Sequence, residues 1–117
     1  VPITYSFITR WQVHAPLTDV WAQIRDPLSW PQWWPDFENV QEIAAGRPDG
    51  TGSIIGCTVK SPVGYRLRFN ITSEKIIEQN LISGRASGDL EGTGTWLLQQ
   101  QPRHTYVECR WNVHTTI

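Results

Sequence analysis

The sequence predicts an α+β fold: one curved antiparallel sheet of about seven strands, with two short helices after the first strand. Composition, periodicity and turn spacing all point to it. Val, Ile and Thr number 8, 11 and 11, against 12 for Ala and Leu together. Branching at Cβ suits a pleated sheet and restricts rotamers in a helix. Apolar residues alternate at the start of the chain, switch once to helical spacing, and alternate again from residue 37 to the end. The turns between the later runs are two to five residues long. They require antiparallel neighbours, because a parallel crossover takes about a dozen residues.

Residues 3–13 read as the first strand, with Ile3, Tyr5, Phe7, Thr9, Trp11 and Val13 opposed to Thr4, Ser6, Arg10 and Gln12. Leu17, Val20, Trp21 and Ile24 then lie at helical spacing. Pro16 stands in the first turn, where its missing N–H costs nothing, and Asp26-Pro27 ends the helix. A second short helix or turn runs from Leu28 to Trp34, kept short by Pro31 and Pro35. Strands follow over 39–44, 52–60, 65–74, 81–87, 94–101 and 105–116. Turns are expected at Gly46-Arg47-Pro48-Asp49-Gly50, Ser61-Pro62-Val63-Gly64, Gly88-Asp89-Leu90-Glu91-Gly92 and Pro102-Arg103-His104. The 65–74 run alternates best, with Tyr65, Leu67, Phe69 and Ile71 facing one way and Arg66, Arg68, Asn70 and Thr72 the other.

Several functional classes drop out on composition. With 117 residues, 39% hydrophobic and 18% charged, the chain is neither disordered nor a charged helical rod. One domain is expected. Its net charge of -1 offers no field to nucleic-acid phosphates, so no nucleic-acid partner is expected. No run approaches the ~18 apolar residues of a membrane span, which argues against stable membrane insertion. The N-terminus lacks a signal peptide's basic start and apolar stretch, and also an initiator Met. Cys57 and Cys109 are too few for a disulfide framework and show no metal spacing; they fit a reducing cytoplasm. Gly84, Gly88, Gly92 and Gly94 precede no helix that could cap a phosphate, and read as bulges and turns that let the sheet curl. No cofactor and no metal are expected.

A sheet with one apolar face needs a cover. The two predicted helices total under twenty residues, too little for seven strands. Either a segment beyond Ile117 or the second subunit of a homodimer is expected to supply the rest. The stretches Trp11-Gln12-Val13-His14-Ala15-Pro16-Leu17-Thr18-Asp19-Val20-Trp21 and Asp26-Pro27-Leu28-Ser29-Trp30-Pro31-Gln32-Trp33-Trp34-Pro35 carry a resemblance. With Gly88-Asp89-Leu90-Glu91-Gly92-Thr93-Gly94-Thr95-Trp96 and the Thr105 strand, they resemble the polyketide cyclase/dehydrase and lipid-transport family of the START-like, birch-pollen-allergen-like (SRPBCC) superfamily. The resemblance spans nearly the whole chain. It implies a helix-grip fold, in which the sheet curls around a long C-terminal helix and holds an apolar ligand in the tunnel between them. The sequence departs from it by ending after the seventh strand, without that helix.

Candidate ligand-binding residues are Tyr65, Leu67, Phe69, Trp96, Leu98 and Trp111, the aromatic-rich row of the inner face. Each is either a cavity wall or plain core, since small-molecule sites are themselves mostly apolar. Trp30 and Trp34, with Trp33, form the rim of the tunnel or anchor the helices to the sheet. Catalytic candidates are thin. His14, His104 and His114 share no spacing with a nucleophile, and Asp89 reads as a turn residue. Arg66, Arg68, Arg85 and Arg110 make either a solvated outer face or a stripe for phosphate or protein. The leading expectation is a carrier or binder of a hydrophobic small molecule (lipid, polyketide-like or isoprenoid). A cyclase/dehydratase enzyme, which needs an inward acid or base, and a protein-interaction module are the alternatives.

Overall fold

The computed structural model describes residues 3–60 and 64–116. It contains strands β1 (Thr4–Val13), β2 (Phe37–Ala44), β3 (Ile54–Lys60), β4 (Arg66–Ile77), β5 (Leu81–Gly88), β6 (Leu90–Gln100) and β7 (Thr105–Thr115). Helices α1 (Leu17–Arg25) and α2 (Trp30–Trp33) lie between β1 and β2, joined by a 3-10 turn over Pro27–Ser29. The predicted turn at 61–64 falls, apart from Gly64, outside the described residues.

All seven strands form one antiparallel sheet in the order β1-β7-β6-β5-β4-β3-β2. From β2 to β7 the chain is a plain meander, as short turns require. β1 closes against β7, so the sequence neighbours β1 and β2 become opposite edges and the helical segment spans the face between them. Val20, Trp21 and Ile24 bury one side of α1, the side that helical spacing selects. Two hydrogen bonds tie the start of that segment down. Leu17 N–H donates to Gln100 Oε1 at 2.9 Å, and Thr105 Oγ1 donates to the Ala15 carbonyl at 2.7 Å.

The two largest boundary differences from the sequence reading each have a local reason. β4 runs on to Ile77, because a bulge between Ser73 and Lys75 interrupts the alternation without ending the strand. The expected turn over 88–92 shrinks to Asp89. Its N–H donates to the Arg68 carbonyl at 2.9 Å, and its carboxylate accepts from the Arg68 N–H at 2.9 Å. Gly92 therefore lies inside β6, at φ 146, and a Cβ there would collide with the Asn112 carbonyl. Only glycine lets β6 lie this close to β7.

The sheet's two faces are chemically distinct. The inner face buries Leu67 and Phe69 of β4, Trp96 and Leu98 of β6, and Val107, Cys109, Trp111 and Val113 of β7. The outer face carries ion pairs: Arg66 with Glu38 at 2.9 Å, Arg85 with Glu74 at 3.5 Å, and Arg10 and Arg110 with Glu108. Among the described residues the longest helix is α1, at nine residues.

Candidate functional site

The inner face is hollowed rather than filled. Three hollows of about 220, 380 and 210 Å³ lie against it and share walls. The first runs over Ile55, Ile71, Ile82, Gly84 and Gly94 at the centre of the sheet, under Ile24, Pro27 and Trp30. The second lies along α1, between Val20, Gln23, Trp33, Trp11 and Val107. The third is bounded by Tyr5, Phe7, Trp34, Phe37, Leu67, Phe69 and Val113. Ile24 and Trp96 border both the first and second, and Trp111 both the first and third.

Glycine shapes the floor. The Trp111 ring lies over Gly94, 3.3 Å from where a Cβ would stand, and a Cβ at Gly84 would come within 2.8 Å of the Thr72 carbonyl. Both glycines line the first hollow, at positions where a side chain would press on what already packs there.

A cluster of tryptophans separates the hollows. Trp96 stacks on Trp11 with centroids 5.7 Å apart, and Trp34 meets them edge-on at 5.5 and 5.8 Å. Trp30 packs on Trp96 at 5.7 Å and on Phe37 at 5.3 Å, while Trp33 stacks on Trp34 at 5.9 Å. Edge-to-face and offset contacts of this kind add to the area the rings bury. Trp30 is buried and its Nε1–H donates to the Ile24 carbonyl at 3.2 Å, so its polar atom is satisfied inside the protein.

The sequence candidates are thus distributed over the whole inner face. Trp96 and Trp111 border two hollows each, and Leu67 and Phe69 line the third. Trp30 roofs the first hollow and the half-buried Trp34 flanks the third. Leu98, 2% exposed, is paired with Val107 and borders none of the three. Tyr65 stands just ahead of β4, 40% exposed, also outside them. Tyr5, on the border of the third hollow, has its phenol pushed up, first by burial and then by the neighbouring Tyr65.

One inward charged group escapes the sequence reading. Val40 pairs with Cys57 and Glu42 with Ile55, so alternation along β2 puts Glu42 on the inner face, where it lines the open side of the first hollow. The next residue, Ile43, is 53% exposed and lies beside Gly56 and Asn70, outward residues of β3 and β4. The usual pattern is reversed: acid inward, isoleucine outward. The register shift at Phe37/Asn39 puts Phe37 on the other parity, and the signal in the sequence is that Glu42 follows the inward Val40 by two residues. Arg25 also lines this hollow, with its guanidinium 6.0 Å from the Trp21 ring centroid.

Other reactive groups are quiet. The Cys57 and Cys109 thiols are both pushed up to about 12, chiefly by burial, which keeps them protonated at neutral pH and unsuited to nucleophilic work. His14 and His104 lie 6.4 Å apart between ring centroids at one end of the sheet, away from the hollows. Among the described residues no three His, Cys, Asp or Glu side chains gather as a metal site, and no helix is long and apolar enough to cross a membrane.

Residues 6–117 match the family model described as polyketide cyclase / dehydrase and lipid transport. No curated protein matches the chain in sequence. Solved structures share its fold at low identity. A protein from Thermus thermophilus superposes with a TM-score of 0.82 at 17% identity, over 97% of this chain and 76% of its own. A START superfamily protein from Mycobacterium smegmatis gives 0.79 at 18%, over 96% and 78%. The Zhui aromatase/cyclase from a Streptomyces species gives 0.78 at 16%, over 98% and 70%. The seven-stranded curved sheet and paired short helices are those of the helix-grip fold, and its long helix has no counterpart among the described residues.

Proposed function

The chain belongs to the polyketide cyclase/dehydrase and lipid-transport family, and from that membership we propose that it binds a hydrophobic small molecule against the inner face of its sheet. The observation that carries this reading is the set of adjoining hollows walled by Leu67, Phe69, Trp96 and Trp111. Pockets for small ligands are mostly apolar, with a few placed polar groups. Trp30 and Trp34 border the ligand from above, Leu98 backs the wall, and Tyr65 meets it at the end of the sheet through Tyr5. Lipid, polyketide-like and isoprenoid ligands all suit such a surface.

Binding is supported by the mostly apolar walls, while Glu42 supplies the inward acid that the cyclase/dehydratase alternative requires. Among the described residues, Glu42 and Arg25 are its only ionisable side chains apart from the protonated thiol of Cys109. The interaction-module reading is less supported on the arginine side, because Arg66, Arg85 and Arg110 are each paired with a carboxylate, which leaves only Arg68 of the four outside the ion pairs of the described residues.

The test is a titration with N-phenyl-1-naphthylamine, a neutral apolar fluorophore. The wild-type chain should enhance its emission saturably. Leu67→Asp and Trp96→Asp should abolish the enhancement. Ile71→Trp, which fills the first hollow from a half-buried position, should weaken it in a protein that still gives the wild-type circular dichroism. No saturable binding by the wild type, or unchanged affinity in folded Ile71→Trp and Trp96→Asp, would sink the reading.

A further inference from the structure

We infer that the first hollow selects ligands bearing a neutral hydroxyl or phenol over their carboxylate counterparts, and that Glu42 is the residue that reads this group. The inference rests on the binding function proposed above and specifies its ligand class. Glu42 is the inward member of β2 at its pairing with Ile55, and it lines a hollow whose floor is Ile55, Ile71 and Ile82. Its carboxylate makes no hydrogen bond or ion pair with any described residue. The outward acids Glu38, Glu74 and Glu108, by contrast, each hold an arginine.

Among the strand residues that line this hollow, Glu42 alone carries a charge, while its neighbour Ile43 faces solvent. Such local breaks in patterning are where function overrides folding preference. An ionised carboxylate has only acceptor sites, so the partner that completes it is a donor. Arg25, on the same hollow, has only donors; it also reaches the Asp49 carbonyl at 3.5 Å. A ligand hydroxyl can donate to Glu42 and accept from Arg25. A ligand carboxylate is drawn by Arg25 but repelled by Glu42. Glu42 is itself exposed at the open side of the hollow, so selection acts through this repulsion and through the hydrogen bond that only the hydroxyl can donate.

The experiment displaces N-phenyl-1-naphthylamine with 2-naphthol and with 2-naphthoate at pH 7, on the wild-type chain and on Glu42→Gln. The wild type is expected to bind the naphthol about tenfold tighter than the naphthoate, the size of one hydrogen bond to a charged group. Glu42→Gln should lose naphthol affinity and gain naphthoate affinity, so that the ratio falls to one or reverses. An unchanged ratio in Glu42→Gln, with both proteins binding the fluorophore, would overturn the inference and leave the hydrophobic-binding function standing. Failure of the wild type to bind the fluorophore at all would overturn both.

Discussion

Glu108 shows how a single outward side chain is held in this sheet. It is an acid on the outer face of β7, yet its side chain is only 6% exposed because Arg10, Tyr106 and Arg110 close over it. The Arg110 guanidinium, first, and the Tyr106 hydroxyl at 2.8 Å hold its carboxyl below the ordinary glutamate value of 4.5. A carboxyl lowered on folding stabilises the native state above its unfolded value, and that contribution vanishes as pH falls through the lowered folded value. Glu108→Gln should therefore be less stable than the wild type at pH 7, with the gap closing below pH 4.5. Urea midpoints at pH 7, 5 and 3 check this, and a gap that persists undiminished at pH 3 would refute it. Alternation along β7 places Glu108 outward from sequence alone. Its arginine partners are legible there only as an outer-face group, since Arg10 reaches it from β1, a pairing across about a hundred residues that no local pattern encodes.

At the scale of elements, the proline-bounded segment from the 3-10 turn through α2 divides its tryptophans between two jobs. Trp30 is 5% exposed, hydrogen-bonded to the Ile24 carbonyl, and packed on both Phe37 and Trp96. Trp34 is half-buried and borders the third hollow. Trp30→Ala should cost about 3–5 kcal/mol, the usual loss for a buried large aromatic. Trp34→Ala should cost about half as much, since one of its sides already faces an open hollow. Chemical denaturation of the two variants distinguishes them, and equal losses would make Trp34 core rather than rim. The sequence leaves both roles open for this segment, because three tryptophans between prolines specify a short bulky element but not which ring points down. Strand existence is easier to read, since period-two alternation is visible over eight or more residues. β2 is the hardest strand. The register shift between Phe37 and Asn39 puts Phe37 on the opposite parity from Val40 and Glu42, so a count begun at Phe37 turns the acid outward, whereas one begun at Val40 turns it inward.

The whole molecule is a sheet whose two faces have different fates. The outer face is complete in itself, its ion pairs joining Arg66, Arg85 and Arg110 to acids, while the inner face carries the hollows between Trp96, Trp111 and the helices. Composition and alternation make the apolar inner face legible, but not its hollowness. That depends on how Ile24, Trp30 and Trp111 pack over the face, a long-range arrangement that alternation does not encode. A ligand seated there touches mostly apolar walls, so its effect on stability should follow mass action and be nearly blind to salt. At a free concentration a hundred times its dissociation constant, a ligand adds about 2.7 kcal/mol to the native state. For a chain of this size that raises the thermal midpoint by about 10 °C. The same rise should be seen in 50 mM and 500 mM NaCl with a neutral apolar ligand such as N-phenyl-1-naphthylamine. A ligand held instead by the arginine–glutamate pairs of the outer face would be screened, because exposed charges separated by more than a few ångströms hardly interact at the higher ionic strength. A midpoint shift that collapses between the two salt concentrations would therefore place the guest on the wrong side of the sheet.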